Sequence, residues 1–153
     1  MRTNAGVLRS ACYARNVAET ITEAKQFGFQ AGDIVQEWLW DEDVDSHVRE
    51  SIESLTGEQL ADEDYSSCAD GAIIWWRDGD DEDELADTIV DANLTLNEGG
   101  AFWIFAAKPG RQGAPSPVTV ANAAKTAGMN AASPVSIAQD WNGILLRAFG
   151  RGR

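Results

Sequence analysis

Cysteine and histidine are scarce in this sequence, which has two cysteines and one histidine among 153 residues. Cys12 lies near the N-terminus and far from Cys68, so the pair is a poor basis for a structural disulfide or a metal site. His47 has no second imidazole with which to form a proton relay or a two-histidine metal site. No serine stands in a Gly-x-Ser-x-Gly turn, so nothing supports nucleophilic hydrolysis.

Basic residues are also few: 12 lysines and arginines stand against 25 acidic residues, which leaves a formal net charge of −13. Such a charge repels phosphate backbones and anionic lipids, so neither nucleic acid nor a membrane is expected as a partner. It either keeps the protein soluble or steers it toward a basic partner. Neither an apolar stretch of about 18 residues nor a hydrophobic signal segment is present, and we therefore expect a cytoplasmic location.

Apolar residues, by contrast, are plentiful enough for a folded core. The chain is 44% hydrophobic and contains six tryptophans, whereas disordered chains are poor in aromatic residues. Its length fits one domain. We expect a flexible N-terminal arm at residues 1–12, a single α/β domain at 13–149 and a flexible tail at 150–153.

Four segments show the three- and four-residue apolar spacing of amphipathic helices. Residues 46–56 follow Asp45, a favourable N-cap, and end at Gly57. After an acidic turn at 77–83, a second helix carries Leu85, Ile89, Ala92 and Leu96 on one face, and residues 97–100 are expected to end it. The other two predicted helices are residues 13–27, ended by Gly28, and a short one from Pro117 to Gly128.

Three apolar segments predict the strands of a parallel sheet. Residues 34–40 are rich in β-branched and aromatic residues, and residues 71–76 and 101–107 are continuous apolar runs, typical of strands buried on both faces. Residues 135–139 and 144–149 predict an antiparallel hairpin that turns at Asn142-Gly143. The order predicts an α/β fold: a three-layer, mainly parallel twisted sheet with right-handed crossovers, helices on both faces and a C-terminal antiparallel hairpin.

Two resemblances follow from these residues. The apolar and Gly-Gly spacing across residues 70–104, with the helix and hairpin after it, is similar to the C-terminal half of a class I methyltransferase fold. Five segments together resemble an uncharacterised actinobacterial family catalogued as domain of unknown function 3052: residues 32–37, 40–45, 75–77, 108–111 and 123–128. The second resemblance covers residues 27–149 and implies an actinobacterial source, but it implies no activity.

A glycine-rich turn after the first strand is missing. Methyltransferases and dinucleotide enzymes use such a turn to bring the backbone and a helix N-terminus close to the cofactor. Residues 38–43, which stand at that position, include two tryptophans and three acidic residues. Because indoles and carboxylates would block and repel a phosphate group, we expect no cofactor.

The carboxyl ends of the predicted strands are where α/β sheets bind ligands. They bring together eight residues as a candidate site for a ligand or partner: Trp40, Asp41, Asp43, Trp76, Arg77, Asp78, Lys108 and Arg111. Lys108 and Arg111 lie on a glycine-containing loop before a helix N-terminus, an arrangement that can hold a carboxylate or phosphate. Alternatively, they pair across the sheet edge with Asp41, Asp43 or Asp78, as surface ions often do.

The remaining acidic and aromatic residues have structural interpretations. Residues 41–45 and 78–83 match only the start of a calcium loop, so helix capping and solvation explain their carboxylates better. Trp75 and Trp103 are expected in the core. The other tryptophans near strand ends either pack or present an interaction surface: Trp38 or Trp40, and Trp76.

Two functions are left open by these observations. The first is a non-catalytic regulatory or protein-interaction module on a degenerate methyltransferase-like scaffold, with an unknown protein partner. The alternative is a small-ligand binding protein, or an enzyme acting on an anionic metabolite through the Lys108/Arg111 loop. The missing glycine turn and the shortage of catalytic pairings favour the first, and no catalytic residue or metal ligand is assigned.

Overall fold

The structure, a computed structural model, describes residues 20–148. The predicted arm at 1–12, the tail at 150–153 and residues 13–19 of the first predicted helix lie outside this range. The described residues form three α-helices: α1 (Ser46–Thr56), α2 (Glu82–Thr95) and α3 (Pro117–Thr126). The same part of the chain forms six strands: β1 (Val35–Trp38), β2 (Ala69–Trp76), β3 (Leu96–Ala107), β4 (Met129–Ala131), β5 (Val135–Ser136) and β6 (Trp141–Ala148).

The strands make one open, mixed sheet in the order β1-β2-β3-β6-β4. Strands β1, β2 and β3 are parallel, as predicted, whereas β6 runs antiparallel to β3. Strands β4 and β5 both pair antiparallel with the other edge of β6. The predicted α/β class, with helices packed on both faces of the sheet, is confirmed. No helix within residues 20–148 is long and apolar enough to cross a bilayer.

The core consists of two layers, one on each face of the sheet. Trp75 and Phe105 pack with the buried face of α1, whereas Trp76 and Ile104 pack with α2 and α3. Successive residues of a strand point to opposite faces, so Trp75 and Trp76 enter different layers. All four side chains are fully buried because helices cover both faces. Burying a phenylalanine or isoleucine completely contributes roughly 1.5–3 kcal/mol, so these strands dominate the stability of the fold.

The connection from β1 to β2 places the chain on both faces in turn. After α1, Ala61 pairs in parallel with Gln36 at the outer edge of β1. The chain then returns over the opposite face, where the Gln36 side-chain amide donates to the carbonyl oxygens of Asp62 and Tyr65, both at 3.0 Å. Because the direction of winding reverses here, the carboxyl ends of β1 and β2 flank the topological switch point of the sheet.

The helix predicted at residues 13–27 is not formed in its described part. Thr20 pairs with Ser136, and the Ile21 N–H donates to the Ser136 carbonyl at 2.7 Å, so the chain is extended there. Only Ala24–Phe27 turn, as one 3₁₀ turn that Gly28 ends in the left-handed region. The apolar spacing in this segment reflects burial against the α1 side of the sheet and not a helix.

The C-terminal hairpin is formed, but its turn is not at Asn142-Gly143. The turn spans residues 137–140, and two of its N–H groups donate to the Trp141 carbonyl, at 3.1 and 3.2 Å. Asn142 and Gly143 lie inside β6, opposite β3. A Cβ on Gly143 would come within 3.2 Å of the Trp103 ring, so this glycine serves close packing instead of a turn.

Two further segments differ from the prediction. Residues 97–100 do not end a helix; they belong to β3, which begins directly after α2. The Asn97 side chain fixes this extension by donating to the Asp70 carboxylate at 3.0 Å. Strand β4 has no counterpart in the prediction, because three residues are too few to show an alternating pattern.

Candidate functional site

The turn after β1 lies at the switch point and carries the unusual backbone of the molecule. Leu39 has a φ of 62°, and it is the one non-glycine residue within 20–148 with a positive φ. This left-handed conformation costs roughly 1–2 kcal/mol for a residue with a Cβ. The Leu39 N–H donates to the Glu63 carboxylate at 2.6 Å, so the loop from α1 to β2 holds the turn in place.

Arg77, the residue after β2, fills the crevice between β1 and β2. Its Nη1 donates to the carbonyl oxygens of Leu39, at 2.7 Å, and Trp75, at 2.9 Å. Its Nε and Nη2 bond the two carboxylate oxygens of Asp43, at 3.1 and 2.6 Å. This bidentate contact holds the pKa of Asp43 below its usual value, against the opposing effect of desolvation. One guanidinium therefore ties together the ends of both strands.

A buried carboxylate lies beneath the same turn. Glu37 is 5% exposed and accepts three charged or polar hydrogen bonds: from Arg49 Nε at 2.7 Å, Arg49 Nη2 at 2.9 Å and Trp75 Nε1 at 2.7 Å. The hydrogen bond to Glu37 raises the pKa of Arg49. Sequence reasoning missed this network, and the available signal was a glutamate beside a glutamine inside a strand that is otherwise apolar.

Trp40 is the exposed aromatic of the site. Its residue is 52% exposed, and the Arg49 guanidinium lies 6.0 Å from the centre of its ring. Arg49 is itself fixed by Glu37, so Trp40 rests on a positioned cation. The neighbouring residues 41–43 are acidic and exposed, and the Asp41 carboxylate accepts the Glu42 N–H at 2.7 Å. Trp40 is therefore an indole on the surface that is bordered by the acidic residues 41–43.

Trp141 connects the two sides of the sheet edge, although the sequence placed it in a turn. It is 1% exposed, and its ring lies 5.8 Å from the Arg77 guanidinium and 5.4 Å from that of Arg111. Its ring also meets Trp75 edge-to-face at 4.9 Å. An indole face attracts cations, so Trp141 positions Arg77 and Arg111 on its two neighbouring loops.

Lys108 and Arg111 do not form the ion pairs that were considered for them. Lys108 Nζ donates to the Ser136 hydroxyl at 2.7 Å, and Arg111 Nη1 donates to the Asp140 carbonyl at 3.3 Å. Within residues 20–148 neither side chain has a carboxylate oxygen within 4 Å of its charged nitrogens, although Arg111, after Arg77, helps to lower the pKa of Asp43. Arg77, and not the β3–α3 loop, pairs with Asp43.

The N-terminus of α3 already holds a carboxylate from its own chain. Asp80 accepts the Ser116 N–H and the Thr119 hydroxyl, both at 2.8 Å. The bond from Ser116 and then that from Thr119 lower the pKa of Asp80. The helix N-terminus that follows Lys108 and Arg111 is therefore satisfied by Asp80. Within residues 20–148 no group of three or more His, Cys, Asp or Glu side chains could hold a metal ion.

Two of the eight candidate residues make none of these contacts. Trp76 is fully buried among α2 and α3 and donates its indole N–H to the Gly79 carbonyl at 3.0 Å, so it does not reach the surface. Asp78 is exposed and belongs to no ion pair among the described residues. The remaining six lie along the carboxyl edge of the sheet: Trp40, Asp41, Asp43, Arg77, Lys108 and Arg111.

Comparison with known proteins gives a family and a fold. The sequence profile of the family described as "Protein of unknown function (DUF3052)" matches residues 24–149. Uncharacterised proteins of Mycobacterium bovis and Mycobacterium tuberculosis are 41% identical over 114 residues, which cover 74% of this chain and 71% of each relative.

One solved structure shares the fold with a TM-score of 0.56: an O-methyltransferase (NcsB1) from neocarzinostatin biosynthesis, in complex with S-adenosyl-L-homocysteine and 1,4-dihydroxy-2-naphthoic acid. The match covers 88% of this chain and 52% of the enzyme, at 14% sequence identity. The chain thus spans about half the length of that enzyme. At this identity the likeness shows a methyltransferase-like fold and nothing more.

Proposed function

This chain belongs to the DUF3052 family of proteins of unknown function, and we propose that it is a cofactor-free protein-interaction module built on a methyltransferase-like fold. The proposal has two parts. The first is that S-adenosylmethionine does not fit the switch point. The second is that the sheet edge around Trp40 binds a basic partner.

The residues at the switch point do not fit S-adenosylmethionine. In doubly wound sheets the turn after the first strand carries glycines so that its backbone can approach the ligand. Here Leu39 takes the left-handed position with a full side chain. The Arg77 guanidinium lies in the adjacent crevice and is held by four hydrogen bonds. A ligand that entered would have to displace Arg77 from Asp43 and from two carbonyl oxygens.

The exposed Trp40 is the observation that carries the interaction function. Trp40 is 52% exposed as a residue, and its indole stacks on Arg49, which Glu37 holds through an ion pair inside the protein. Binding energy at interfaces concentrates in a few aromatic and arginine residues, and a side chain already held in position loses little entropy on binding. A fixed, exposed indole therefore suits the centre of an interface.

Charge indicates what kind of partner would bind. Residues 20–148 contain 24 acidic and seven basic residues, and acidic residues 41–43 border Trp40. A complementary surface carries lysine or arginine, which can also stack on the free face of the indole. The partner is accordingly a protein with a basic segment.

Affinity purification from a mycobacterial lysate tests the interaction part. Three immobilised proteins are compared: the wild type, Trp40→Ala and the control Leu94→Ala, which removes an apolar side chain that is 78% exposed on α2. We expect the wild type and Leu94→Ala to retain the same basic protein in stoichiometric amount and Trp40→Ala to lose it. Recovery of no such protein, or equal recovery by Trp40→Ala, overturns this part.

Calorimetry with S-adenosylmethionine and S-adenosylhomocysteine tests the cofactor part separately. We expect no saturable heat for either compound with the wild-type protein. A dissociation constant below about 100 μM, which corresponds to more than about 5 kcal/mol of binding free energy, would show that the crevice opens. That result would overturn the cofactor-free assignment but would leave the interaction proposed for Trp40 unaffected.

The alternative function, binding of an anionic metabolite by the Lys108/Arg111 loop, is favoured by one observation. Both side chains are positioned by hydrogen bonds, yet neither has an acidic partner within residues 20–148. The two functions are tested with different substitutions, at Trp40 for the first and at Lys108 and Arg111 for the second.

A further inference from the structure

The unpaired cations of the β3–α3 loop are unusual in so acidic a chain. Of the seven basic residues within 20–148, three belong to ion pairs: Lys25, Arg49 and Arg77. The other four have no carboxylate partner in this range, and two of them, Lys125 and Arg147, are exposed to solvent. Only Lys108 and Arg111 combine partial burial with the lack of a partner. Exposed Asp140 contacts both residues through its carbonyl oxygen, but its carboxylate lies within 4 Å of neither charged group.

A tight turn brings the two cations together. The Arg111 N–H donates to the Lys108 carbonyl at 3.0 Å, which places both side chains on one turn. Both reach across to the β5–β6 hairpin, Lys108 to the Ser136 hydroxyl and Arg111 to the Asp140 carbonyl. Arg111 also stacks on the buried Trp141. These contacts position the two charges before any ligand arrives, which lowers the entropy lost on binding.

Donor groups remain free on both side chains. An ammonium group has three N–H donors and a guanidinium has five, and the structure uses one on each. The guanidinium can therefore still present a two-donor edge, which matches the oxygens of a phosphate or carboxylate. Ser136 adds a hydroxyl beside them. The loop therefore presents the planar guanidinium of Arg111 and the ammonium group of Lys108 to the same anion.

The number of unpaired charges selects the class of anion. Two cations held on one turn favour a ligand that carries a charge near −2 on a single group, and a phosphate monoester carries about −1.5 to −2 at pH 7. A single carboxylate would leave one cation unpaired. A nucleic acid would be repelled by the net charge of −13, because that repulsion acts on every phosphate of a polyanion. We infer that Lys108 and Arg111 bind the phosphate group of a small phosphorylated metabolite.

This inference gives a ligand class to the alternative function and does not rest on the partner proposed for Trp40. The test uses calorimetry with glycerol 3-phosphate as the phosphate monoester, succinate as the dicarboxylate, and sodium chloride at matched ionic strength. Four proteins are compared: the wild type, Lys108→Gln, Arg111→Gln and the control Lys125→Gln. The control removes an exposed positive charge elsewhere on the surface, and circular dichroism checks that each variant is folded.

We expect glycerol 3-phosphate to bind the wild type and Lys125→Gln alike, and the dissociation constant to rise at least about tenfold in Lys108→Gln and in Arg111→Gln. If Arg111→Gln fails to fold because Trp141 loses its neighbour, Lys108→Gln decides. Three results overturn the inference: no binding to the wild type, equal binding by Lys108→Gln, and tighter binding of succinate than of the phosphate. None of these results bears on the Trp40 surface.

Discussion

Replacing Glu37 by alanine removes the one carboxylate that Arg49 and Trp75 share inside the protein. Trp75 is fully buried, so its indole N–H would have no acceptor. The Arg49 side chain is 28% exposed and could still reach water. The substitution therefore leaves the buried Trp75 N–H without a hydrogen-bond acceptor and the Arg49 charge only partly exposed to solvent.

The magnitude follows from these two groups. An unsatisfied buried donor costs about 1–3 kcal/mol, and removing one partner of a buried ion pair costs about 3–5 kcal/mol. Because Arg49 is partly exposed, the lower end of the second range applies. Taking the lower end of both ranges, we expect Glu37→Ala to lose about 4 kcal/mol of unfolding free energy, which in a chain of this size lowers the midpoint of thermal unfolding by about 8–16 °C.

Urea denaturation followed by tryptophan fluorescence measures this loss. The matched control is Glu50→Ala, which removes an exposed carboxylate from α1, the helix that carries Arg49, and should change the free energy by less than about 0.5 kcal/mol. A double variant, Glu37→Met/Arg49→Met, should lose less than the sum of the two single changes, since residues in one network are coupled. A loss below about 1 kcal/mol in Glu37→Ala, or one no larger than in Glu50→Ala, would refute the reasoning.

Two further predictions concern the same edge of the sheet. Gly113 has a φ of +83°, and a Cβ there would overlap the Arg77 carbonyl oxygen, so Gly113→Ala should cost about 3 kcal/mol in urea unfolding. Gly110→Ala, with a similar φ but open space around it, should cost only about 1 kcal/mol, and equal losses would contradict the steric argument. Arg77 holds the pKa of Asp43 below its usual value of 3.8, so its ion pair stabilises the fold above that pH and is lost as the pH falls through the folded pKa. Between about pH 5 and 2 the wild type should therefore lose more unfolding free energy than Asp43→Asn, and this difference should shrink at high salt because salt screens the ion pair. Parallel pH profiles of the two proteins would show that the pair contributes nothing.

The elements that the sequence predicts well are those with local causes. Helix α1 has the predicted bounds because Asp45 caps its first turn and Gly57 ends it in the left-handed region. Strand β2 is recognisable from its continuous apolar run. The hairpin turn was misplaced because Gly143 is required by the Trp103 ring, a contact 40 residues away that no local rule contains.

The candidate site shows the same division. The rule that parallel strands present their carboxyl ends together placed Trp40, Arg77 and Arg111 on one edge. Which charges meet there was not predictable, since Arg77 and Asp43 lie 34 residues apart and compete with many other acids. The buried Glu37 network depends on α1 bringing Arg49 over the strand. Spacing along the chain gives no sign of such a contact.

The single bridge at Ala61 has a consequence for how the folded protein behaves at high concentration. Strand β1 ends the sheet, and the outer edge of a sheet can template the addition of a strand from another molecule. Ala61 occupies that edge by bonding Val35 and Glu37, and the side chain of Gln36 fastens the loop behind it. If this short loop detached, the outer edge of β1 would present unpaired N–H and C=O groups, while every helix stayed folded. We therefore expect resistance to aggregation to depend on the contacts that hold Ala61 against β1 as well as on the net charge.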